Sequence, residues 1–279
     1  MTSRAVLITG CSTGIGRATA ERMARNGWTV YASARRLETI SDLRGCRTLA
    51  LDVCDEGSMR AAVEQVEREQ GAVGVLVNNA GYAQDAAFES VPMDEVRRQF
   101  ETNVFGLVRL TQLVLPGMRR QRWGRVINVS SMGGRLTLPG AAYYHATKHA
   151  VEALSDALRY EVAPFGVRVS VIEPGLIKTA FGRTAAAAVQ GVDQTDDPYA
   201  AFNQGVAAML MRAYEGPLSV FASGPGSTAR AIEHAASSRL PRTRYRVTLG
   251  ARSLLMTRRL LPDRAWDTLL KLVYPTPRP

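Results

Sequence analysis

Tyr144 and Lys148 stand four residues apart in the run Tyr144-His145-Ala146-Thr147-Lys148, inside a stretch of helical periodicity. Positions i and i+4 share one helix face, so the ammonium lies beside the phenol and favours its ionised form, moving its pKa towards neutrality. A phenol tuned this way exchanges a proton with a substrate oxygen, as general acid in one direction and general base in the other. With nine tyrosines and three lysines in 279 residues, chance supplies roughly 0.1 such pairs. Tyr143 is in the wrong register, about 100° around the helix, and fits pocket lining or packing. Thirteen residues before Tyr144 an apolar run ends in Ser130-Ser131. A hydroxyl there can hold the substrate oxygen while the tyrosine moves the proton, although paired serines after a strand also serve as turn formers. Asn103 sits in another helical stretch, where asparagine is a poor helix former and needs a separate reason for its place.

A second group of residues suits a phosphate. The first apolar run leads into Thr9-Gly10-Cys11-Ser12-Thr13-Gly14-Ile15-Gly16, after which a helix begins. Gly10 and Gly14 let the backbone turn tightly towards a pyrophosphate and Gly16 permits close helix packing. Ser12, Thr13 and Ile15 complete a loop whose amides face the ligand at a helix N-terminus. A plain turn is the alternative reading.

These residues need a scaffold, and the chain alternates short apolar runs with longer amphipathic ones. The pattern predicts an α/β fold, a doubly wound parallel sheet with helices on both faces. Seven strands are expected over 5–8, 29–33, 48–51, 75–77, 124–129, 168–172 and 246–249, and helices over 15–25, 58–70, 93–120 and 142–165. The interval 181–227, with Gly, Pro and the run Ala185-Ala186-Ala187-Ala188, breaks the alternation and reads as an insertion over the active site. The chain is expected to be one domain, with a cofactor and catalytic core over 1–179 and a substrate lid with a C-terminal extension over 180–279.

The spacing T-G-x-x-x-G-x-G, combined with Y-x-x-x-K, resembles the short-chain dehydrogenase/reductase family, and the likeness extends over roughly residues 6–179. The look of the loop and the longer C-terminal part is similar to the branch containing retinol and 17β-hydroxysteroid dehydrogenases. The resemblance implies a Rossmann-type fold and an oxidoreductase that moves a hydride between a nicotinamide dinucleotide and an alcohol or ketone. It makes Asn103, Ser131, Tyr144 and Lys148 a catalytic tetrad, in which Asn103 distorts its helix locally and holds a relay water. It sets Asp52-Val53 against the adenine, gives Asn79 of Asn78-Asn79-Ala80-Gly81 a cofactor contact, and makes Pro174-Gly175-Leu176-Ile177-Lys178-Thr179 a loop over the nicotinamide. There Ile177 offers a backbone contact and Thr179 approaches the cofactor, while Tyr144 and Lys148 touch the ribose side. Asp52 also reads as an ordinary turn or cap residue, and Asn78 and Asn79 as amides tying strands together. A homodimer or homotetramer is implied as well.

Cofactor choice turns on the end of the second strand. A carboxylate there accepts the ribose hydroxyls of NAD, whereas an arginine pairs with the extra phosphate of NADP. Ala34 fills the acidic position and Arg35 the basic one, so NADP(H) is favoured and NAD(H) is the alternative. The pattern departs from many NADP-using relatives at Thr13, where they carry Arg or Lys. A non-catalytic nicotinamide-binding regulator is a rival reading, set against the presence of all four tetrad residues. So is an epimerase or dehydratase, set against the loop spacing and chain length.

Composition narrows the field further. The net charge of +10 comes largely from ten basic and two acidic residues between Arg239 and Pro279, and the nearly neutral body holds no recognition helix or finger, so nucleic acid is not expected. Cys11, Cys46 and Cys54 form no C-x-x-C pair, and His145, His149 and His234 no metal triad, so neither a disulfide framework nor a metal is expected. The opening apolar run is too short for a signal-peptide core, and a cytoplasmic protein is expected. Leu136, Leu138 and the apolar insertion, with Gly133 and Gly134, suggest a pocket for a lipophilic alcohol or carbonyl compound. Trp266, Leu269, Leu270 and Val273 fall at helical spacing beside Arg264 and Lys271. That stripe packs on the domain or a subunit contact, or else rests on an anionic membrane surface.

Overall fold

The computed structural model describes residues 2–190, 197–214 and 222–277, leaving aside the side chain of Gln190. Parts of the expected insertion, 191–196 and 215–221, therefore lie outside the described residues, as do the last two of the basic C-terminus. Seven strands, β1 (Val6–Ile8), β2 (Val30–Ala34), β3 (Cys46–Ala50), β4 (Val75–Asn78), β5 (Gly124–Val129), β6 (Val167–Glu173) and β7 (Arg244–Arg246), form one sheet in the order β3-β2-β1-β4-β5-β6-β7. All six pairings are parallel. This is the Rossmann-type doubly wound sheet expected. Its winding reverses between β1 and β4, where loops diverge and leave a crevice at the strand carboxyl ends.

The side-chain period of two divides the apolar residues between two cores. Leu7, Tyr31, Leu49, Leu76 and Val126 point to a layer made by α2 (Glu56–Gln70), α4 (Gly106–Arg120) and the end of α5 (Ala142–Val162). Val6, Ile8, Ala32, Val77 and Ile127 point the other way, against α1 (Gly14–Arg25) and α8 (Pro225–Ser237). Strands buried on both faces read as continuous apolar runs, which is why β1 and β4 were legible despite their length.

Three expectations change. The stretch 93–120 is not one regular helix: α3 (Met93–Phe100) and α4 are separated by a π-helical turn, Glu101–Phe105. The last strand lies earlier than 246–249. Thr248 caps α9 (Leu249–Leu260), accepting a hydrogen bond from the Ala251 amide at 3.1 Å, so the chain has already left the sheet there. Arg244 and Arg246 hold β7 in place through Glu173 on β6, each at 3.2 Å, and Arg244 also reaches Glu152 of α5 at 3.0 Å. The insertion, finally, contains two helices, α6 (Phe181–Gln190) and α7 (Ala200–Tyr214), which pack on each other and enclose Phe202 and Val206 with Ala87. The alanine run that broke the strand pattern lies within α6.

The apolar stripe of the C-terminal helix, α10 (Asp263–Val273), is largely taken up by the domain. Trp266 is buried with Leu136 and Leu255, and Leu269 and Leu270 pack beside it, whereas Val273 and Leu272 stay exposed. Among the described residues no helix is long and apolar enough to cross a membrane. Truncating Trp266 to Ala opens a void under α10, and we expect a loss of about 3 kcal/mol, read as a lower denaturation midpoint with an unchanged slope. A midpoint equal to that of the wild type would show that α10 contributes no packing.

Candidate active site

The glycine loop and the β4 loop are tied across the switch point by side chains. Thr9 Oγ1 accepts the amides of Asn79 and Ala80, both at 3.0 Å, and Asn79 Nδ2 donates back to the carbonyls of Thr9 at 2.8 Å and Gly10 at 3.1 Å. Gly16 packs so close beneath that a Cβ there would stand 2.3 Å from the Gly10 oxygen. Gly14, with φ +61, faces Thr179, so the first and last cofactor loops expected from the sequence do meet. At the start of α1, Thr13 makes no side-chain cap and the first turn holds no acidic residue. Its leading amides therefore have neither an intrahelical partner nor a capping oxygen, which is the donor set an anion requires. This fits a dinucleotide pyrophosphate.

Neighbouring residues divide between structural and open positions. Asp52 is engaged in its own turn, accepting the Cys54 amide at 2.9 Å, and Val53 packs its carbonyl against Gly106. Asn78 is buried and donates to Thr111 at 3.0 Å and Asn128 at 2.9 Å, the strand-tying role anticipated for it. Of the two arginines after β2, Arg36 lies 3.6 Å from Glu38, and Arg35 is exposed with no ion pair among the described residues. Pro174 accepts the Met132 amide at 2.8 Å, and Leu176 to Lys178 exchange two backbone hydrogen bonds with Ser223. Thus the loop Pro174, Gly175, Ile177, Thr179 is held at both ends.

The four expected catalytic residues converge at the carboxyl ends of β4 and β5. Lys148 Nζ is buried and donates to the Val129 carbonyl at 2.9 Å, 5.8 Å from the Tyr144 ring centre. Burial, partly offset by Glu152, lowers its pKa to about 8. Tyr144 is half-buried, and loss of solvation pushes its phenol above the ordinary range, while a hydrogen bond with Ser131 pulls the other way. Burial thus outweighs the lowering expected from the neighbouring lysine. Ser131 Oγ also accepts the Gly133 amide at 3.1 Å, which fixes its rotamer at the mouth of a 3-10 turn.

Asn103 lies in the π-helical turn. It is 1% exposed, and donates to the Tyr82 carbonyl at 2.8 Å and to Thr147 at 3.1 Å, while its oxygen accepts the Tyr82 amide at 3.1 Å. The extra residue of the π turn aims this amide inward, towards Gly81 and Lys148: a Cβ at Gly81 would lie 2.9 Å from Asn103 Oδ1 and 3.6 Å from Lys148 Nζ. Sequence reasoning did not find Tyr82 or Thr147, since one acts through its backbone and the other only through a fold contact.

Tyr143 is turned away, as its register predicts. It stacks on Phe88 at 4.8 Å and donates to the Phe88 carbonyl at 2.9 Å. His145 is a packing residue: it accepts the Leu138 amide at 3.1 Å, and burial lowers its pKa to about 4. Among the described residues no group of three or more His, Cys, Asp or Glu is placed to hold a metal ion. A cavity of about 580 Å³ opens beside α10, lined by Leu136, Leu138, Phe202 and Trp266 together with the charged Arg258 and Asp267. It does not reach Tyr144, whose phenol is bounded instead by Phe181, with ring centres 5.5 Å apart. Gly133 and Gly134 do not line the cavity; they give room to His145 and Ser130.

The short chain dehydrogenase family profile matches residues 4–190. The chain belongs to the short-chain dehydrogenase/reductase family, and is accordingly a nicotinamide-dependent oxidoreductase acting on CH-OH groups. It is 41% identical over 181 residues to the 3-ketodihydrosphingosine reductase of Bacteroides thetaiotaomicron, covering 65% of this chain and 66% of that one. A similar likeness, 41% over 187 residues, with 63% and 66% covered, links it to an NADPH-dependent 3-dehydrocapnine reductase of Ornithobacterium rhinotracheale. Among solved structures, a short-chain dehydrogenase from Streptomyces avermitilis superposes with a TM-score of 0.79 at 34% identity, with 96% of each chain covered.

Replacing Gly16 by Ala forces the crowded loop apart. Overpacking of this kind costs about 1–3 kcal/mol, and if the loop yields first, NADPH affinity falls roughly five- to hundredfold. Quenching of intrinsic fluorescence by NADPH measures it; an unchanged Kd would remove the loop from the cofactor site.

Proposed function

We propose that the chain is an NADP(H)-preferring oxidoreductase that interconverts a hydrophobic secondary or primary alcohol and its ketone or aldehyde. One observation carries the reading: a half-buried phenol beside Ser131, with Lys148 on the same helix face and Asn103 turned inward behind it. A nicotinamide dinucleotide supplies the hydride chemistry when bound. The residues suited to hold it are the loop Gly10, Ser12, Thr13, Gly14, Ile15 and Gly16, then Arg35, Asp52, Val53, Asn79, Ala80, Gly81, Lys148, Pro174, Gly175, Ile177 and Thr179, with Tyr144 beside them. Ser131 orients the substrate oxygen. Tyr144 gives that oxygen its proton in reduction and removes it in oxidation. Lys148 and Asn103 form the path by which the phenol is recharged from solvent.

In this reading residues 1–179 form the cofactor and catalytic core, and 180–279 the substrate cover and C-terminal extension. The cover over Tyr144 by Phe181 supports a lipophilic substrate. The unpaired Arg35 beside the neutral Ala34, together with an NADPH-dependent relative, supports the cofactor preference. A homodimer or homotetramer agrees with Leu154, Tyr160 and Phe165 standing exposed on α5 and the turn after it.

Three outcomes test the reading. Tyr144→Phe keeps the ring and removes the proton, so turnover falls by at least about a hundredfold while NADPH still binds; near-normal rates would reject the assignment. Because burial holds the phenol above its ordinary range, it keeps its proton through neutral and mildly alkaline pH, so reduction is expected to hold its rate there and oxidation to gain only at strongly alkaline pH. Ala34→Asp with Arg35→Ala replaces a charge-assisted contact of about 1.5–3 kcal/mol by repulsion, so the kcat/KM ratio for NADPH over NADH drops at least roughly tenfold. Equal use of both cofactors by the wild type would sink the preference.

A further inference from the structure

Helix α9 is apolar on two opposite sides, and the domain covers only one of them. Inward, Leu255 joins Leu136 and Trp266, and Ala251 faces Gly175. At 100° per residue, Leu249, Met256 and Leu260 fall within about 40° of arc on the side away from those contacts. They are 79%, 54% and 74% exposed. A single exposed leucine is ordinary, but these three form one row on the order of 16 Å long, i to i+7 to i+11 along the helix. The row is distinct from the α10 stripe noted in the sequence, most of which packs on the domain.

The charges beside the row are all of one sign. α9 contains three arginines and no acidic residue. Arg258 pairs with Asp263 at 2.6 Å. Arg252 and Arg259 are exposed on one flank of the row, and neither has a carboxylate partner among the described residues. Arg252 Nε donates to the Arg246 carbonyl at 3.1 Å, which anchors the side chain and leaves its charge unneutralised. The excess of basic residues over 239–279 adds to the same positive field.

An apolar row bordered by cations, on a helix that lies along the protein surface, matches the boundary between headgroups and acyl chains of an anionic bilayer. A second copy of the chain matches it poorly. A two-fold contact turns each patch against itself, which sets Arg252 and Arg259 against their own equivalents with no carboxylate on the helix between them. We infer that the outward face of α9 docks the protein on an anionic lipid surface, with Leu249, Met256 and Leu260 entering the boundary and Arg252 and Arg259 meeting the lipid phosphates. The inference is independent of the active-site reading.

The test is co-sedimentation of the full-length protein with vesicles of phosphatidylglycerol and phosphatidylcholine in equal parts, at low and high salt, and with vesicles of phosphatidylcholine alone. The wild type is expected to bind the anionic vesicles at least about tenfold more strongly, as suits two arginines near a charged surface, and high salt is expected to remove the difference. Leu249→Gln with Met256→Gln and Leu260→Gln keeps good helix formers and is expected to weaken binding at least about tenfold. Arg252→Gln with Arg259→Gln is expected to reduce binding to the level of phosphatidylcholine alone. Since these side chains point outward, both variants are expected to keep a denaturation midpoint close to that of the wild type, and the wild-type comparison of lipids and salt needs no variant. No binding of the wild type to anionic vesicles at low salt, equal binding to the two kinds of vesicle, or a folded triple variant that binds like the wild type overturns the inference. Equilibrium sedimentation showing a larger oligomer for the wild type than for the triple variant also overturns it, and gives the face to a second copy.

Discussion

Everything at the carboxyl edge of this sheet depends on how two loops are joined where the winding reverses. Parallel strands that diverge at a switch point leave a gap between β1 and β4, and backbone groups lining such a gap need partners. Thr9 and Asn79 provide them reciprocally, one hydroxyl accepting two amides and one carboxamide donating to two carbonyls. The clamp holds the glycine loop against the β4 loop and leaves the first amides of α1 facing outward. It also sets Gly81 beside Asn103 and Lys148, so the glycine loop and the proposed proton-transfer residues share one frame.

The second constraint is burial of charge. Lys148 spends its Nζ on the Val129 carbonyl, and its pKa is lowered because the surrounding protein solvates an ammonium poorly. Tyr144 feels the same poor solvation with the opposite sign, since for a phenol it is the ionised form that is charged. Desolvation alone therefore drives the two values apart, bringing the ammonium towards neutrality and holding the proton on the phenol. Ser131 adds a specific hydrogen bond on top of that general effect. Farther out, Glu152, Glu173, Arg244 and Arg246 pair across α5, β6 and β7, fixing the helix that carries both catalytic candidates.

The helix before β5 shows how a local defect can be useful. A regular helix over 93–120 would turn Asn103 elsewhere by its i to i+4 geometry; the π turn over Glu101–Phe105 adds a residue and points the amide at the crevice. Tyr82 then satisfies both ends of that amide.

Apolar periodicity and glycine spacing made the sheet, its strand number and the two layers of helices legible from the chain, because both are local consequences of which faces must be buried. The proposed tetrad could be assembled for a related reason: Tyr144 and Lys148 share a helix face at a spacing that any α-helix enforces, and Ser131 and Asn103 followed from the family likeness. Other features depend on contacts between distant segments. Thr248 as a cap, and so the true place of β7, emerges only when the Ala251 amide is seen to need an acceptor. The orientation of Asn103, the use of Trp266 for packing, and the dominance of burial over the lysine in setting the Tyr144 pKa are likewise tertiary. Asp85 is the clearest case. In the chain it is one acidic residue among alanines and aromatics, and nothing in its neighbours distinguishes it, because desolvation is a property of the folded volume and not of sequence order.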